Sequence, residues 1–579
     1  MKIDSQLSNK VLVLGNDNNS FLSVIRSLGR KGICVHVGWC APQLNALKSK
    51  YISKYHFIPQ FSLTSLDWKI SLTKIIEQEK YDLVIPCGDP EIIPLQLYKD
   101  EFDKFVNIYL LDNVCYNRAN DKFIMQKLAS DLGVNVPREI EITKSTDTKY
   151  ILSEIPFPIV LKPRVSFSAE NLAEKYYVEK VYTIEKLKYR LDQLKEREIL
   201  IAQQNFIGNG VGVELLASDG IILYAFQHIR IHEPLTGGGS SYRKSLHLNP
   251  ELLDASAKII KALKYTGVAM VEFKMNLNNN EWMFIELNAR FWGSLPLSIA
   301  AGADFPYFLY LMLTRGEKQF SEDYVKGVFC RNLTADMYWL FSNIRADKSN
   351  PTLCTMPLWR VAAEIINIIS LKERNDTIVF DDINPGIAEI MDLTKKCTAK
   401  ISREVNKLII HSSIFRIVLH QKAVAAINKA NIILFVCKGN IFRSPFAHHY
   451  LNSICRSNIN VISCGYYPKE GRTPPSQAVA AAKNFGIDLT GHRSIIITHD
   501  LVQKADVVLT FDEDNFRTLL NQFPSAKSKI HRLSSIKICS SFEIEDPYEK
   551  DHNEVVAIYT RIKDMIEVIG HIIGSRTKL

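Results

Sequence analysis

One short segment, Ile432 to Pro445 (IILFVCKGNIFRSP), constrains the fold more than any other part of the sequence. An apolar run leads directly into Cys437, five residues separate this cysteine from Arg443, and a helical pattern begins near Ser444. A buried strand that is followed at once by a loop and a helix is typical of a parallel α/β sheet. We therefore expect an α/β domain that starts at this strand and continues to the C-terminus.

The loop after this strand has the chemistry of a phosphate site. Its length allows backbone N–H groups to surround one phosphate, and the positive end of the following helix points at the same centre. Arg443 offers a planar fork for two phosphate oxygens, and the combined positive potential favours a nucleophilic thiolate at Cys437. Asp546, in the sequence Asp-Pro-Tyr, is the candidate acid for protonating the leaving oxygen. The expected phosphate loop comprises Lys438, Gly439, Asn440, Ile441, Phe442 and Ser444.

Further motifs follow this loop in order, and together they resemble the low-molecular-weight protein tyrosine phosphatases across residues 430 to 579. The resemblance implies a doubly wound parallel sheet, with Cys437 as nucleophile, Arg443 as phosphate clamp and Asp546 as general acid. It also implies a hydrogen-bond network beneath the loop, formed by Asn440, Ser444, Ser463 and His492. The motifs are VCKGNIFRSP, Ser463-Cys464-Gly465, GIDLTGHRS (Gly486 to Ser494), ADVVLTFD (Ala505 to Asp512) and DPY.

The sequence departs from this family's pattern at two places. Phe442 stands where many members carry a second cysteine, so we expect no reversible disulfide that protects Cys437. In the segment YYPKEG, Lys469 or Glu470 is expected at the position of the usual aromatic wall, which leaves a preference for phosphotyrosine open. Tyr548 can still line one side of an aromatic ligand.

Near the N-terminus, short apolar runs alternate with helical patterns. Lys10 to Gly15, Ile33 to Val37 and Leu83 to Pro86 are the predicted strands. Alternation of this kind predicts a parallel sheet wrapped by helices, hence a Rossmann-like lobe. Gly15 stands alone rather than in G-x-G-x-x-G, so a dinucleotide fingerprint is absent.

A second group of polar residues lies between positions 120 and 293. In the extended segment FIELNAR, alternation places Phe284, Glu286, Asn288 and Arg290 on one face, and Glu272 from a neighbouring strand would complete an oxygen cage. Carboxylates combined with phosphate oxygens are the usual environment of Mg²⁺. The segment therefore predicts a site for Mg²⁺ and a phosphorylated ligand.

Two lysines extend this group, since Lys122 begins a helix and Lys162 ends an apolar strand, and both suit a triphosphate. The order resembles the ATP-grasp enzymes, notably the carbamoyl-phosphate-synthase-like ligases, over about residues 10 to 320. The resemblance implies that Lys122 and Lys162 bind ATP and that Arg290 contacts the transferred phosphoryl group. It further implies an adenine-facing hinge of Gln204, Asn205, Phe206 and Ile207, with Asn205 replacing the usual Glu, and Mg²⁺ ligands Glu272, Glu286 and Asn288. His228 to Arg230, with Gly237 to Ser241, would be a lid.

Four segments are expected along the chain. They are a Rossmann-like domain (1–115), an ATP-grasp domain (116–325), a helical extension and linker (326–428) and the phosphatase domain (429–579). Within the linker, Glu404 to Ile427 carries apolar residues at helical spacing with cations between them. Such a helix can lie on a membrane surface, but a linker helix packed on a neighbouring domain is the favoured interpretation.

Composition limits the location and the partners. The net charge of +9 over 579 residues is modest and diffuse, so we expect phosphate-bearing small ligands and no nucleic acid. The eleven cysteines show no zinc spacing or C-x-x-C pair, which indicates a reduced, cytoplasmic protein. The N-terminus lacks a signal peptide and no window of about 18 apolar residues exists, so we expect no transmembrane helix and do not favour a membrane as partner. The oligomeric state is open.

Two functions follow, together with a weaker third. The first is a bifunctional enzyme: an ATP- and Mg²⁺-dependent ligase acting through an acyl-phosphate, and a cysteine-dependent phosphomonoesterase. Its partners would be a small carboxylate with a nucleophilic acceptor, and a phosphorylated protein or small phosphomonoester. The second is a signalling phosphatase regulated by a nucleotide-binding ATP-grasp module. The third, by family analogy alone, is a scaffold for surface-polysaccharide machinery.

Overall fold

The computed structural model describes residues 8–195, 198–235, 237–320, 323–350, 352–370, 372–411, 413–455, 459–537 and 543–576. The chain divides into two compact units, one before and one after the boundary between residues 395 and 396. Each unit has sheets and hydrophobic cores of its own.

The first unit opens with a four-stranded parallel sheet in the order β3-β2-β1-β4. Both faces of β1 are buried, because Val11 and Val13 face one core while Leu12 and Leu14 face another. This arrangement confirms the expected Rossmann-like lobe. The strands are β1 (Lys10–Leu14), β2 (Cys34–Gly38), β3 (Ile52–His56) and β4 (Leu83–Pro86), and the helices are α1 (Ser20–Arg30), α2 (Asp67–Glu79), α3 (Asp89–Leu97) and α4 (Lys99–Phe102).

Two further sheets follow in the same unit. The smaller sheet, in the order β5-β8-β6-β7, is antiparallel, and β9 to β13 form most of a larger, seven-stranded sheet. The strands of the smaller sheet are β5 (Glu139–Ile142), β6 (Ile159–Pro163), β7 (Glu179–Val181) and β8 (Leu200–Gln204). The larger sheet contains β9 (Asn209–Ser218), β10 (Ile221–His232), β11 (Tyr242–Leu246), β12 (Gly267–Met275) and β13 (Trp282–Asn288). The helices are α5 (Asn113–Asn120), α6 (Lys122–Asp131), α7 (Thr148–Glu154), α8 (Ile184–Asp192), α9 (Pro250–Ala262), α10 (Leu295–Ala300) and α11 (Phe305–Arg315).

A β-bulge changes the expected alternation along β13. Glu272 pairs with Glu286, but the next residue of β12, Phe273, pairs with Phe284, so Ile285 is the extra residue. A bulge lets two successive side chains point to the same side of a sheet. Phe284 is therefore packed in the hydrophobic core, and the prediction that it shares a face with Glu286 is wrong.

Residues 326 to 395 are less uniformly helical than expected. Two short strands, β14 (Phe329–Arg331) and β15 (Glu373–Asn375), complete the larger sheet, whose order is β13-β12-β9-β10-β11-β14-β15. Arg243 of β11 is paired with the buried Asp376, 2.5 Å away, which fastens this segment to the sheet. The helices between and after these strands are α12 (Leu333–Arg345), α13 (Leu358–Ala363), α14 (Ile365–Ile369) and the start of α15 (Asn384–His411).

The second unit is built on a four-stranded parallel sheet in the order β17-β16-β18-β19, flanked by helices. Ala423 and Ile427 of α16 are fully buried in its core, so this part of the linker packs on a domain as expected. No helix among the described residues has the length and apolarity to cross a membrane. The elements are α16 (Ser413–Lys429), β16 (Ile432–Cys437), α17 (Arg443–Ile454), β17 (Asn460–Gly465), α18 (Ser476–Lys483), α19 (His499–Lys504), β18 (Val507–Thr510), α20 (Glu513–Gln522), β19 (Ile530–Arg532) and α21 (His552–Ser575).

Candidate active sites

In the second unit, the loop between β16 and α17 surrounds the sulfur of Cys437. Cys437 ends β16 and is buried, and Arg443 begins α17, so the loop spans the carboxyl end of a strand and the N-terminus of a helix. The backbone N–H of Asn440 donates to Sγ at 3.2 Å, and Ser444 Oγ lies 3.0 Å from the same sulfur. A backbone N–H and a hydroxyl beside a sulfur at a helix N-terminus are surroundings that can stabilise a thiolate.

Asn440 organises the underside of the loop. Its φ of 50° is in the left-handed region, which asparagine adopts more readily than most residues. Its side-chain nitrogen donates to Ser444 Oγ (3.0 Å) and Ser463 Oγ (3.1 Å), and its side-chain oxygen accepts from the N–H of Ile495 (2.8 Å). His492 Nε2 donates to the Asn440 carbonyl at 3.0 Å. The structure thus brings the four predicted network residues together.

Arg443 is held by two carboxylates. Its Nη1 donates to Asp512 Oδ2 (2.6 Å) and to the carbonyl of Ile544 (2.8 Å), while Nη2 lies 3.0 Å from Asp546 Oδ2. Burial opposes the charge, but Cys437 and the two carboxylates outweigh it and raise the pKa of Arg443. Sequence reasoning missed Asp512, although it closes the quoted motif ADVVLTFD.

A cavity of about 250 Å³ opens above the loop. Two tyrosines, Tyr467 and Tyr548, line it, whereas Lys469 and Glu470 do not, so the expectation for the wall position is wrong. The guanidinium of Arg472 stacks 4.3 Å from the centre of the Tyr467 ring and donates to the carbonyl of Gly439. The lining comprises Cys437, Lys438, Gly439, Ile441, Phe442, Arg443, Tyr467, Arg472, Asp546 and Tyr548.

Cys464 lies on the strand next to the one that ends at Cys437, but its side chain points to the opposite side of the sheet. It is opposite Val436 across β16 and β17, and both side chains belong to the core on one side of the sheet. Cys437 belongs to the core on the other side. Because successive side chains alternate across a strand, a disulfide between the two cysteines would require β16 or β17 to rearrange.

In the first unit, a cavity of about 430 Å³ lies between side chains of the smaller and the larger sheet. Lys162 of β6 and Gln204 of β8 line it from the smaller sheet, and Glu272 of β12 and Glu286 of β13 line it from the larger one. The cavity brings together the predicted Lys122, Lys162, Gln204, Asn205, Phe206, Glu272, Glu286, Asn288 and Arg290. Ile207, the last residue of the expected hinge, does not line the cavity, and its side chain is half exposed.

Glu286 lies at the centre of the positive charges in this cavity. Burial would raise the pKa of its carboxyl, but the charges of Lys122, Lys175 and Lys162 outweigh burial and lower it. Asn288 Nδ2 lies 3.4 Å from Glu286 Oε1. Glu286 is thus an ionised carboxylate beside an amide, which is an oxygen donor set suited to Mg²⁺.

Glu272 has a different environment. Arg230 donates to both of its oxygens, at 2.7 and 2.6 Å, and also contacts Glu233. Burial and the nearby Glu286 raise the pKa of Glu272 against the effect of Arg230. As a metal ligand, Glu272 would have to share its oxygens with this guanidinium, so the donor set that fits Mg²⁺ without rearrangement is Glu286 with Asn288.

Arg290 is positioned by the Rossmann-like lobe. Its Nε lies 2.9 Å from Oδ2 of Asp89, the first residue of α3, and Nη1 donates to the carbonyl of Phe291 at 2.8 Å. Sequence reasoning missed Asp89 because the pairing joins residues about 200 positions apart. It also missed three lysines that line the cavity, namely Lys175, Lys180 and Lys274.

Two protein families match different parts of the chain. Residues 432–572 match the sequence profile described as low molecular weight phosphotyrosine protein phosphatase. A probable low molecular weight protein-tyrosine-phosphatase EpsP of Ralstonia nicotianae is 34% identical over 118 residues, 20% of this chain and 79% of that protein. The C-terminal part of the chain belongs to the low-molecular-weight phosphotyrosine phosphatase family. A protein-arginine-phosphatase of Bacillus subtilis is 30% identical over 149 residues, 25% of this chain and 96% of that protein.

The N-terminal part contains an ATP-grasp domain. Residues 196–335 match the profile described as ATP-grasp in the biosynthetic pathway with Ter operon, and this range includes Glu272, Glu286, Asn288 and Arg290. A structure of L-amino acid ligase from Bacillus licheniformis covers 54% of this chain and 75% of its own, with 14% identity and a TM-score of 0.41. The chain is a fusion of an ATP-grasp domain and a low-molecular-weight phosphatase domain.

One expectation about the ATP-grasp domain needs correction. His228 and Arg230 were expected in a lid, but both are buried in β10, where His228 lies 3.0 Å from Glu214. The glycine segment from 237 to 239 does line the cavity. In sequence it lies between His232 and Ser241, and both residues contact Asp336, at 2.7 Å each.

Proposed function

We propose that the chain is a bifunctional enzyme, an ATP-dependent ligase joined to a cysteine-dependent phosphomonoesterase. The observation that carries the ligase half is one cavity that collects Lys122, Lys162, Glu286, Asn288 and Arg290. Cations from three separate elements beside an ionised carboxylate suit a Mg²⁺-bound triphosphate better than a neutral ligand. A module that binds nucleotide through its hinge alone would have no use for the amide and arginine next to Glu286.

In the ligase reaction, a carboxylate oxygen of the substrate attacks the γ-phosphorus of ATP, ADP leaves and an acyl-phosphate forms. An amine or another nucleophile then attacks the acyl carbon, and phosphate leaves. Lys122 and Lys162 hold the triphosphate, and Arg290, oriented by Asp89, stabilises the charge on the transferred group. Mg²⁺, held by Glu286 and Asn288, would neutralise the phosphate oxygens.

In the phosphatase reaction, Cys437 Sγ attacks the phosphorus and the bond to the leaving oxygen breaks. Asp546, at the cavity wall, gives its proton to that oxygen. The backbone N–H groups of the loop and the guanidinium of Arg443 hold the three remaining phosphate oxygens. Water then attacks the cysteinyl-phosphate, which releases phosphate and restores the thiolate.

Phosphotyrosine is the proposed class of phosphatase substrate. Tyr467 and Tyr548 line the cavity above Cys437, and two aromatic side chains favour a planar aromatic leaving group between them. One relative is a protein-arginine-phosphatase, and phosphoarginine is therefore the appropriate competitor. Hydrolysis of a phosphotyrosyl and a phosphoarginyl peptide of matched sequence should favour the former.

A second candidate function has one observation in its favour. Arg230 donates to both oxygens of Glu272, a carboxylate that would otherwise be free to bind a metal ion during the ligase reaction. If this pair persists with nucleotide bound, the ATP-grasp domain would bind ATP without turning it over and would regulate the phosphatase.

Release of ADP separates the two candidates. Full-length protein is incubated with ATP, Mg²⁺ and a panel of amino acids and small carboxylates, and Glu286→Ala serves as the matched control. ADP release that depends on one carboxylate and disappears in the variant supports the ligase. ATP binding by calorimetry without turnover of any carboxylate, together with phosphatase activity that changes with ATP, supports the regulatory module. Failure to bind ATP contradicts both.

A further inference from the structure

Helices α12 to α14 expose an unusual amount of apolar surface. Trp359 is 68% exposed and Ile369 is 76% exposed, and six more large apolar side chains between residues 338 and 368 are also well exposed. Scattered exposed apolar residues are normal, but a group of eight within about thirty residues marks an interaction site. The remaining six are Tyr338, Phe341, Ile344, Leu358, Ile366 and Ile368. We call these eight residues the apolar surface.

Hydrogen bonds hold the parts of this surface next to one another. Asn343 of α12 donates to the carbonyl of Met356 and accepts from its N–H, both at 2.8 Å. Near the other end of α12, Glu364 contacts Arg331 at 2.7 Å and His232 at 2.9 Å. The segment that contains α13 and α14 is thus joined to the last turn of α12 through Met356, and to Arg331, just before α12, through Glu364.

Among the described residues between 338 and 374, exposed cations outnumber exposed acidic residues by five to one. Of the three acidic residues between 338 and 374, Glu364 and Glu373 are paired with Arg331, and Asp347 accepts hydrogen bonds from Ser349. Five cations of the same stretch are exposed, namely Arg345, Lys348, Arg360, Lys372 and Arg374. The guanidinium of Arg360 lies 5.2 Å from the centre of the Trp359 ring.

We propose that the apolar surface docks on an anionic lipid membrane. Trp and Ile side chains suit the boundary between headgroups and acyl chains, and flanking Lys and Arg attract acidic headgroups. A second copy of the chain fits less well, because a two-fold interface would place five cations against five cations. This surface could not be predicted from the sequence, because the exposed apolar residues are divided among three helices and form no continuous apolar window.

Vesicle sedimentation of the full-length protein tests the proposal. The probe is a vesicle of phosphatidylcholine with about a third phosphatidylglycerol, and pure phosphatidylcholine is the comparison. We expect binding to the acidic vesicles only, a blue shift of Trp emission, and release at 0.5 M salt because of screening. The variant Trp359→Ser/Ile369→Ser should weaken binding at least about tenfold, from the lost burial of two large apolar side chains. Arg360→Gln/Lys372→Gln should weaken it roughly 30-fold, at about 1 kcal/mol for each cation.

The matched control is Ile221→Ser, because Ile221 is an equally exposed apolar residue at a different place, the start of β10. Unchanged thermal unfolding by circular dichroism shows that each variant is folded, because the phosphatase belongs to the other compact unit and its activity would not report on these substitutions. The proposal is overturned if the wild type does not bind acidic vesicles, or if the surface variants bind as well as Ile221→Ser. It is also overturned if light scattering shows a dimer that the Trp359→Ser/Ile369→Ser variant dissociates, because the surface would then join two copies.

Discussion

Replacing Asp546 by Asn should slow the phosphatase by two to four orders of magnitude, and the size of the loss separates two roles of this residue. Asp546 lines the cavity above Cys437, where its carboxyl can protonate a leaving oxygen. It also forms an ion pair with Arg443 at 3.0 Å. Either role would reduce activity on substitution, but the two differ in magnitude.

The ion pair alone explains only a small effect. The side chain of Asp546 is 48% exposed, and an ion pair so open to solvent contributes at most about 1 kcal/mol, or less than tenfold in rate. Loss of general acid catalysis costs about 10²- to 10⁴-fold. A loss beyond tenfold is therefore attributable to proton transfer rather than to the orientation of Arg443.

Comparing two substrates with different leaving groups makes the assay specific for general acid catalysis. p-Nitrophenolate leaves with little help from an acid, whereas phenolate needs a proton, so Asp546→Asn should impair phenyl phosphate more than p-nitrophenyl phosphate. Asp512→Asn is the matched control, because Asp512 also holds Arg443 (2.6 Å) but does not line the cavity. Asparagine can keep its cap of α20. Equal losses in the two variants, or a loss independent of the leaving group, would refute the assignment of Asp546 as the acid.

The remaining predictions concern both units. Cys437→Ser should abolish aryl phosphate hydrolysis, and prolonged peroxide should inactivate the wild type beyond recovery by thiol reductants, as a residual-activity assay would show. Lys162→Ala should weaken ATP binding in calorimetry by one to two decades, since a charge-assisted contact contributes about 1.5–3 kcal/mol. Asp336→Asn should loosen the glycine loop and speed dissociation of a fluorescent ATP analogue roughly fivefold, for about 1 kcal/mol lost. Asp376→Ala should lower the free energy of unfolding by about 3–5 kcal/mol in urea titrations, because it leaves Arg243 buried without its partner.

The proposed reactive residues of both sites could be predicted from the sequence for a local reason. In the phosphate loop, nucleophile, loop and arginine belong to one strand-loop-helix unit, so their spacing alone places them around a single centre. The same holds for Glu286 and Asn288, which are neighbours on one side of β13. Parallel strand patterns likewise predicted the Rossmann-like lobe and the sheet around β16.

The features that could not be predicted from the sequence depend on the register between strands and on contacts between residues far apart in the chain. The bulge at Ile285 is set by pairing with β12, and no feature of FIELNAR indicates it. The sequence pattern places Lys469 or Glu470 at the cavity wall of the phosphatase, whereas the structure has Tyr467 there, because the position of Tyr467 depends on how its loop returns to the phosphate loop. The backbone N–H of Tyr467 donates to the carbonyl of Lys438 at 2.9 Å, and this hydrogen bond brings the tyrosine to the cavity.

The partners missed in both units share one physical role. In each site, an arginine expected to meet phosphate is held by a carboxylate from a distant element, Arg443 by Asp512 and Arg290 by Asp89. A guanidinium has five donors, so a carboxylate on one edge fixes its plane while donors remain for phosphate oxygens. A fixed plane reduces the conformational entropy lost when the ligand is bound, and the carboxylate offsets the cost of burying the charge.

A motif identifies the arginine by its distance along the sequence from a nucleophile or a metal ligand. The carboxylate that orients the arginine can come from any element that passes nearby. The spacing of a motif therefore identifies the proposed reactive residues, and the residues that orient them become visible only in the fold.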